Sequence, residues 1–316
     1  MINKKTIRLA LQFFGSIIGL ILLAFQIKDG FSSINISLLN FQNKRFLIIS
    51  LVAAFLALIF QVLGWRKLLN TLGFSLPYRD VFFGYTFTFL PRYIPGSIWG
   101  YITRSEWLFN IYQIPYKKSL FISILEMIII FLTNLALGFF ILNYLTNYQF
   151  LFLLFFFLSL LLIIFIIFTK SKPLQKKFHN DYSKRINFPS IVTILLLFFS
   201  SWILYGVSLI NSIFAFYIIE KFNFSQFFLV ISINSISWVI GFLIIFVPAG
   251  IGVRELVLNN LLIFFFNLPF STSSAIAIIF RMITLLAEFL LMVFGFFIQN
   301  KTKSFFMKKK PTGSNQ

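Results

Sequence analysis

The sequence predicts an all-α membrane protein that crosses the bilayer several times. Of its 316 residues, 59% are hydrophobic and only 11% are charged, whereas a soluble domain is about half apolar and about one quarter charged. Apolar segments about as long as a membrane-spanning helix recur along the chain. The composition therefore excludes a soluble enzyme, a disordered chain and a disulfide scaffold. We expect a single transmembrane domain over residues 1–316.

Six uninterrupted apolar segments are predicted to span the bilayer. The first follows three basic residues and resembles a signal peptide, but no A-x-A-like cleavage site follows it, so we expect it to be retained. A further apolar region, 227–266, is either a re-entrant pair or two crossings. The total is then six spans with two hairpins or eight spans with one. The six segments are residues 9–27, 46–63, 120–145, 150–168, 191–219 and 275–298.

The basic residues indicate how the chain is oriented. There are 27 Lys and Arg against 8 Asp and Glu, a net charge of +19, and basic residues collect in loops on the cytoplasmic side of membrane proteins. We therefore expect a multi-pass protein of the cell membrane with both termini cytoplasmic. The excess charge is expected to meet anionic lipid headgroups rather than nucleic acid. It is concentrated in segments 1–8, 65–80, 104–118, 170–189 and 300–316.

One weakly apolar segment, 81–101, lies between two basic segments that both look cytoplasmic. A single crossing would put 65–80 and 104–118 on opposite sides of the membrane. We therefore predict that 81–101 is a re-entrant hairpin that turns over residues 91–96. Broken backbone at membrane depth is tolerated only where protein buries it or where it lines a wet cavity, so the hairpin is a candidate for function.

Two stretches of the chain follow the same order of features and suggest an inverted repeat. Each has a Pro/Gly break, an arginine, an aliphatic-Pro-aromatic triplet and a long helix with a buried acid. Inverted repeats with interrupted helices hold the binding site of many secondary transporters near the bilayer midplane. The first stretch is PRYIPGSIWG, Arg104, Ile114-Pro115-Tyr116 and Glu126; the second is VPAGIGVRE, Leu268-Pro269-Phe270, Arg281 and Glu288.

Ionised residues inside apolar segments are the main candidates for a binding site. Each costs about 2.5–3.5 kcal/mol at a helix centre, so such residues normally face partners or water. Arg281, Thr284 and Glu288 share one helical stripe and predict a polar ladder, and Arg281 could also pair across helices with Glu126. The alternative is that these charges only hold the bundle together. The set is Arg92, Glu126, Arg254, Glu255, Arg281 and Glu288, and Arg104 after the first Pro/Gly break is a further candidate.

The two Pro/Gly breaks are the second kind of candidate. Glycine lets the backbone approach a ligand closely, and amides freed at a helix start can bind an anion. Because Cys is absent and there is one His, we expect neither a metal site nor a cofactor. The backbone candidates are Pro95 and Gly96 in the first break, and Pro248, Gly250 and Gly252 in the second.

These motifs resemble the transmembrane region of lysylphosphatidylglycerol synthases, a flippase-like family. The resemblance rests on Tyr93–Gly100 with Arg104, on Leu125-Glu126 and on Val247–Glu255, where Ala249 replaces the first Gly of a frequent Pro-Gly-Gly. It covers about residues 10–300 and implies a lipid translocase fold. The sequence ends sixteen residues after Asn300 with no transferase domain, so we expect that the chain does not synthesise the lipid.

Three functions are compatible with these features. The first is a lipid transporter or flippase for an anionic or zwitterionic headgroup, which we favour over an enzyme. The second is an intramembrane transferase acting on a lipid-linked glycolipid, although no paired-carboxylate motif supports it. The third is a non-catalytic partner of a lipid or polysaccharide synthase, which predicts that the buried charges pair off fully and that no cavity opens. The sequence gives no indication of oligomeric state.

Overall fold

The computed structural model describes residues 44–93, 98–141, 188–216, 222–244 and 247–300. This part of the chain is helical and contains no strand, as predicted. Two 3₁₀ turns, Leu90–Tyr93 and Pro248–Gly250, interrupt the helices. The helices are α1 Arg45–Thr71, α2 Tyr78–Phe87, α3 Trp99–Tyr112, α4 Tyr116–Gly138, α5 Phe188–Phe216, α6 Phe224–Leu243, α7 Val253–Phe266 and α8 Phe270–Asn300.

Five of these helices, α1, α4, α5, α6 and α8, are long and apolar enough to cross a membrane. They confirm the polytopic helical fold, and four of them match predicted uninterrupted spans. Helix α1 begins where predicted but continues eight residues past 63. The predicted spans 9–27 and 150–168 lie outside the described residues, as do both termini and most of the loop 170–189. The orientation of the chain therefore stays a prediction.

Helices α2 and α3 form an antiparallel hairpin. Near its open end, the hydroxyl of Tyr112 donates to Asp80 at 2.5 Å. One turn further in, Gly84 packs directly against the ring of Trp107, because a Cβ atom at this position would lie only 2.6 Å from the ring. Near the closed end, Arg104 donates to the hydroxyl of Thr88. The chain thus enters the bundle along α2 and leaves on the same side along α3, as predicted for a hairpin, but the returning arm continues eleven residues past the predicted end at 101, to Tyr112.

Helices α6 and α7 form a second hairpin. Gly241, near the end of α6, lies directly beneath Arg254 at the start of α7, and the backbone of Gly250 packs against that of Gly241. Further out, the buried side chains of α6 and α7 share one apolar cluster, which includes Leu229, Ile233, Leu258 and Leu262. Both hairpins therefore have a short helix of 14 residues as the returning arm.

The two hairpins enter the bundle from opposite faces. We call face A the side where α2 begins and face B the side where α6 begins. Helix α4 starts at face A and packs antiparallel to α6, because Phe131 contacts Phe242 while Leu137 accepts a hydrogen bond from Ser232. Helix α6 therefore starts at the far end of α4, which is face B. Correspondingly, α8 starts at face B and ends at face A, where Arg79 of α2 donates to its last carbonyls.

The closed ends of both hairpins meet beside the middle of α8. Arg281 and Glu288 are the twelfth and nineteenth of its 31 residues. Arg281 contacts the second hairpin through Glu255, and Glu288 contacts the first through Arg92. Helix α6 is long enough to cross a membrane by itself, but its last turn lies at this level. The arrangement agrees with the alternative in which 227–266 is a re-entrant pair.

A constant difference of 154 in residue number relates two parts of the chain. The first part is α3 with the start of α4, and the second is α7 with the start of α8. Helices α3 and α7 are equally long, and each ends in a left-handed residue, Gln113 or Asn267, followed by an aliphatic-Pro pair. One buried contact also repeats. Ser105 donates to the carbonyl of Ser119, and at the equivalent positions Ser273 donates to the side chain of Asn259. This register, with opposite entry faces, is the geometry of an inverted repeat.

Helices α1 and α5 form an antiparallel frame against which the repeat packs. Ser50 bonds to Ser208 and Ser212 near one end, and Gly64 lies against the ring of Phe198 near the other. Serine and glycine at such contacts allow close helix packing in lipid. Trp65 of α1 is fully buried in this core. The frame closes one side of the space between the hairpins.

The turn of the second hairpin contains a residue with unfavourable backbone geometry. Ala249 has φ 50°, a left-handed conformation that costs about 1–2 kcal/mol for a residue with a Cβ atom. We predict that Ala249→Gly raises the free energy of unfolding of the detergent-solubilised protein by about 1 kcal/mol, which thermal unfolding measures. Gly250→Ala should lower it, because φ is 68° and the new methyl would lie 2.7 Å from the Gly241 carbonyl oxygen. Lower stability for Ala249→Gly would contradict this turn geometry.

Candidate functional site

A charged cavity lies where the closed ends of the two hairpins meet. It contains about 870 Å³ of empty space, part of it open to the outside. Both hairpins, the frame helices and α8 contribute to its wall. Its polar and charged lining residues are Gln61, Tyr85, Arg92, Tyr101, Arg104, Tyr205, Asn234, Ser237, Arg254, Glu255, Arg281, Thr284 and Glu288.

Arg104 and Glu126 form the most deeply buried ion pair of the site. Nη1 of Arg104 donates to both carboxylate oxygens of Glu126, and the two side chains are 3% and 0% exposed. The Arg104 guanidinium also lies over the ring of Tyr85, at 3.8 Å from the centroid. Because each charge is neutralised and hydrogen-bonded, the pair joins α3 to α4 without exposing a carboxylate to the cavity.

Glu288 fixes the closed end of the first hairpin to α8. Its two carboxylate oxygens contact Arg92 at 3.3 Å and accept a hydrogen bond from the Tyr93 hydroxyl at 2.9 Å. The side chains of Arg92 and Glu288 are 28% and 15% exposed. A ligand in the cavity can therefore reach this ion pair, in contrast to the one at Glu126.

Glu255 plays the corresponding part for the second hairpin. One of its oxygens lies 3.3 Å from Nε of Arg281, and the other accepts a bond of 2.6 Å from the backbone amide of Gly252. Glycine suits position 252, because its φ is 82°. The turn, the start of α7 and the middle of α8 are thus linked through one carboxylate.

Arg254 is a cavity-lining arginine with no carboxylate within 4 Å in the part of the chain that the structure describes. Its guanidinium lies over the ring of Trp238 at 5.4 Å, and its Nε is buried without a hydrogen-bond partner. The side chain stem rests on Gly241, where a Cβ atom would overlap it. An arginine held in this way has donors directed at whatever occupies the cavity.

Two of the predicted charge interactions are wrong. Arg281 does not pair with Glu126; it pairs with Glu255, and Arg104 neutralises Glu126. The predicted polar ladder on α8 does not form either, because the Thr284 hydroxyl donates to the Arg281 carbonyl and Glu288 turns to the first hairpin. Arg104, a predicted site residue that also stands in the basic segment 104–118, is only 2% exposed.

The backbone candidates have different positions. Pro95 and Gly96 lie outside the described residues. The turn Pro248–Gly250 reaches the closed end of the first hairpin, but of the glycines in the second break it is Gly252 that binds a site residue. No group of three or more His, Cys, Asp or Glu that could hold a metal ion is found among the residues described.

Several aromatic residues of the cavity were missed in the sequence. Tyr85 and Trp238 lie against the guanidinium groups of Arg104 and Arg254, and Tyr93 bonds to Glu288. Aromatic residues make up 20% of the chain, so no single one stands out. The signal that could have found Tyr93 is its place inside the Pro/Gly break, next to Arg92.

The composition of the site is suited to an anion. Four arginines, Arg92, Arg104, Arg254 and Arg281, stand there with the carboxylates of Glu126, Glu255 and Glu288. Counted over the described residues, four cations against three anions leave one positive charge. A planar guanidinium donates two parallel hydrogen bonds to a phosphate or carboxylate.

Comparison with known proteins identifies the family. The family model described as the lysylphosphatidylglycerol synthase transmembrane region matches residues 12–291. That range includes both hairpins, the frame helices and most of α8. No curated protein matches the chain. The chain therefore belongs to the family of the lysylphosphatidylglycerol synthase transmembrane region.

Proposed function

We propose that this protein is a lipid transporter of the flippase-like class, which moves a phospholipid or lipid-linked headgroup between the leaflets through the charged cavity. The observation that carries the proposal is the position of the cavity. It lies at the meeting point of two hairpins that enter from opposite faces, beside the middle of a spanning helix. A polar headgroup crossing the bilayer needs compensating groups at that depth.

The arrangement of the hairpins supports alternating access to one site. In transporters with inverted repeats, the two repeats move against each other around a fixed site at the midplane. Here the closed end of each hairpin contacts α8 through a carboxylate that faces the cavity, Glu288 for the first hairpin and Glu255 for the second. Opening one of these contacts would expose the cavity towards one face while the other stays closed.

The structure argues against a purely structural role in a synthase complex. That alternative predicts complete pairing of the buried charges and no cavity. Arg254 instead lacks a carboxylate partner among the described residues, and the cavity it lines is partly open. Association with a lipid-modifying enzyme remains compatible with transport, since a flippase needs a source of its lipid.

Lipid translocation in proteoliposomes tests the proposal. The purified chain is reconstituted into vesicles that contain fluorescent phosphatidylglycerol, and a membrane-impermeant quencher reports the fraction of label that has reached the outer leaflet. We expect translocation at least tenfold faster than in protein-free vesicles. Arg281→Gln should remove most of it, because Glu255 then loses its cationic partner.

Arg45→Gln is the matched control for this experiment. Arg45 also carries one positive charge, but it lies at the start of α1 in contact with Phe46 and outside the cavity. This variant should translocate lipid as fast as the parent chain. Equal rates for the parent and for Arg281→Gln would disprove the role of the cavity, and no protein-dependent translocation of any tested lipid would disprove the function.

A further inference from the structure

The free hydrogen-bonding groups of the cavity are mainly donors. In the described chain, Nε of Arg92, Nε of Arg254 and Nη2 of Arg281 are buried without a hydrogen-bond partner, whereas Nη2 of Arg92 forms the ion pair with Glu288 at 3.3 Å. All three free atoms belong to guanidinium groups, which have only donors. Leaving such atoms without acceptors in a buried site costs free energy, so a bound ligand that supplies acceptor oxygens would be stabilised.

The acceptors of the cavity are already engaged by arginines. Both oxygens of Glu126 accept from Arg104, and those of Glu288 contact Arg92 and Tyr93. One oxygen of Glu255 accepts from the Gly252 amide, and the other, which has no hydrogen bond in the described chain, forms an ion pair with Nε of Arg281 at 3.3 Å. An ammonium group entering the cavity would therefore have to displace an arginine from its carboxylate.

We infer that the cavity selects headgroups with a net negative charge, that is, a phosphate without a compensating ammonium group, and disfavours aminoacylated headgroups with a net positive charge. This inference rests on the proposed lipid transport and names the substrate class of that site. The phosphate oxygens would accept from Arg92, Arg254 and Arg281. The one uncompensated positive charge of the site balances the single negative charge of a phosphodiester.

Arg254 is the residue on which this selectivity depends most. It is the cavity arginine for which no carboxylate lies within 4 Å among the described residues, so its charge is available to a ligand. Its stem is held by Gly241 and its guanidinium by Trp238. The donors are thus oriented before the ligand binds, which reduces the entropy lost on binding.

Binding of short-chain lipids to the purified full-length chain in neutral detergent tests the inference without requiring transport. Trp238 is next to Arg254, so tryptophan fluorescence is a suitable readout. The probes are dihexanoyl phosphatidylglycerol, its lysyl ester and inorganic phosphate. We expect phosphatidylglycerol to bind about tenfold more tightly than the lysyl ester, a preference that corresponds to one charge-assisted contact.

Three variants assign the preference to Arg254. Arg254→Gln should abolish it, Arg254→Lys should keep part of it through the charge alone, and Arg45→Gln should leave it unchanged. Equal or tighter binding of the lysyl ester, or an unchanged preference in Arg254→Gln, would overturn the inference. Inorganic phosphate binding as tightly as phosphatidylglycerol would also overturn it, because the ligand would then be a soluble anion. Proteoliposomes that translocate both lipids equally would leave transport intact and refute only the selectivity.

Discussion

Glu126→Ala should destabilise the protein by about 3–5 kcal/mol, the loss measured when one partner of a buried ion pair is removed. The variant leaves the charge of Arg104 at a site where it is 2% exposed, with Thr88 as its remaining hydrogen-bond partner. Thermal unfolding in detergent measures the effect. The variant should unfold at a much lower temperature than the parent chain, or fail to accumulate in the membrane.

A double replacement separates the charge effect from packing. Removing both charges with Arg104→Met and Glu126→Leu leaves no uncompensated ion, so the double variant should recover most of the lost stability. Such recovery would identify Arg104 and Glu126 as a structural pair. A double variant as unstable as Glu126→Ala would contradict this assignment, because removing the uncompensated charge would then not restore stability.

Glu288→Gln should have the opposite phenotype, with little loss of stability and a large loss of transport. The amide oxygen can still accept from Tyr93, so the first hairpin keeps its position on α8. Without the carboxylate, however, Arg92 has no anion to compete with a bound phosphate. We expect anionic lipid to bind more tightly, to leave more slowly, and to be translocated about tenfold more slowly in proteoliposomes.

Asp80→Asn is the matched control for Glu288→Gln. Asp80 also accepts a hydrogen bond from a tyrosine, Tyr112 at 2.5 Å, but this pair lies at the open end of the first hairpin and outside the cavity. The control should therefore transport lipid at the rate of the parent. If both variants lose transport equally, the effect of Glu288 is not specific to the cavity.

The architecture could be predicted from the sequence because it depends on local signals. Apolar segment length gave the four uninterrupted spans that the described residues include, and the distribution of basic residues suggested the first hairpin. The order of the Pro/Gly break, the aliphatic-Pro pair and the long helix gave the repeat. The contact between Ser105 and Ser119, repeated by Asn259 and Ser273, was present in the sequence as a constant offset. It becomes recognisable only when the structure shows which positions are equivalent.

The charge pairs could not be predicted because they join elements that are distant in sequence. Spacing along α8 suggested a partner for Arg281 on its own helix, but the side chain turns towards Glu255 on α7. Arg104 was predicted as a site residue, but its pairing with Glu126 on the next helix was not. Its burial follows from the antiparallel packing of α2 and α3 around Thr88 and Tyr85, which no local pattern specifies.

The central claim is that headgroups cross the membrane through the cavity, and a removable plug tests it most directly. The chain contains no cysteine, so Ser237→Cys introduces a single thiol of similar size in the cavity wall. A methanethiosulfonate reagent with a negatively charged sulfonate then fills part of the cavity, and a reducing agent removes it. Thr193→Cys, on the exposed surface of α5, is the matched control.

Translocation of fluorescent phosphatidylglycerol is measured before labelling, after labelling and after reduction, and mass spectrometry gives the extent of modification. We predict that labelling at position 237 slows translocation at least tenfold, that reduction restores it, and that labelling at position 193 changes nothing. Unchanged translocation in fully labelled Ser237→Cys would mean that lipid does not pass through this cavity.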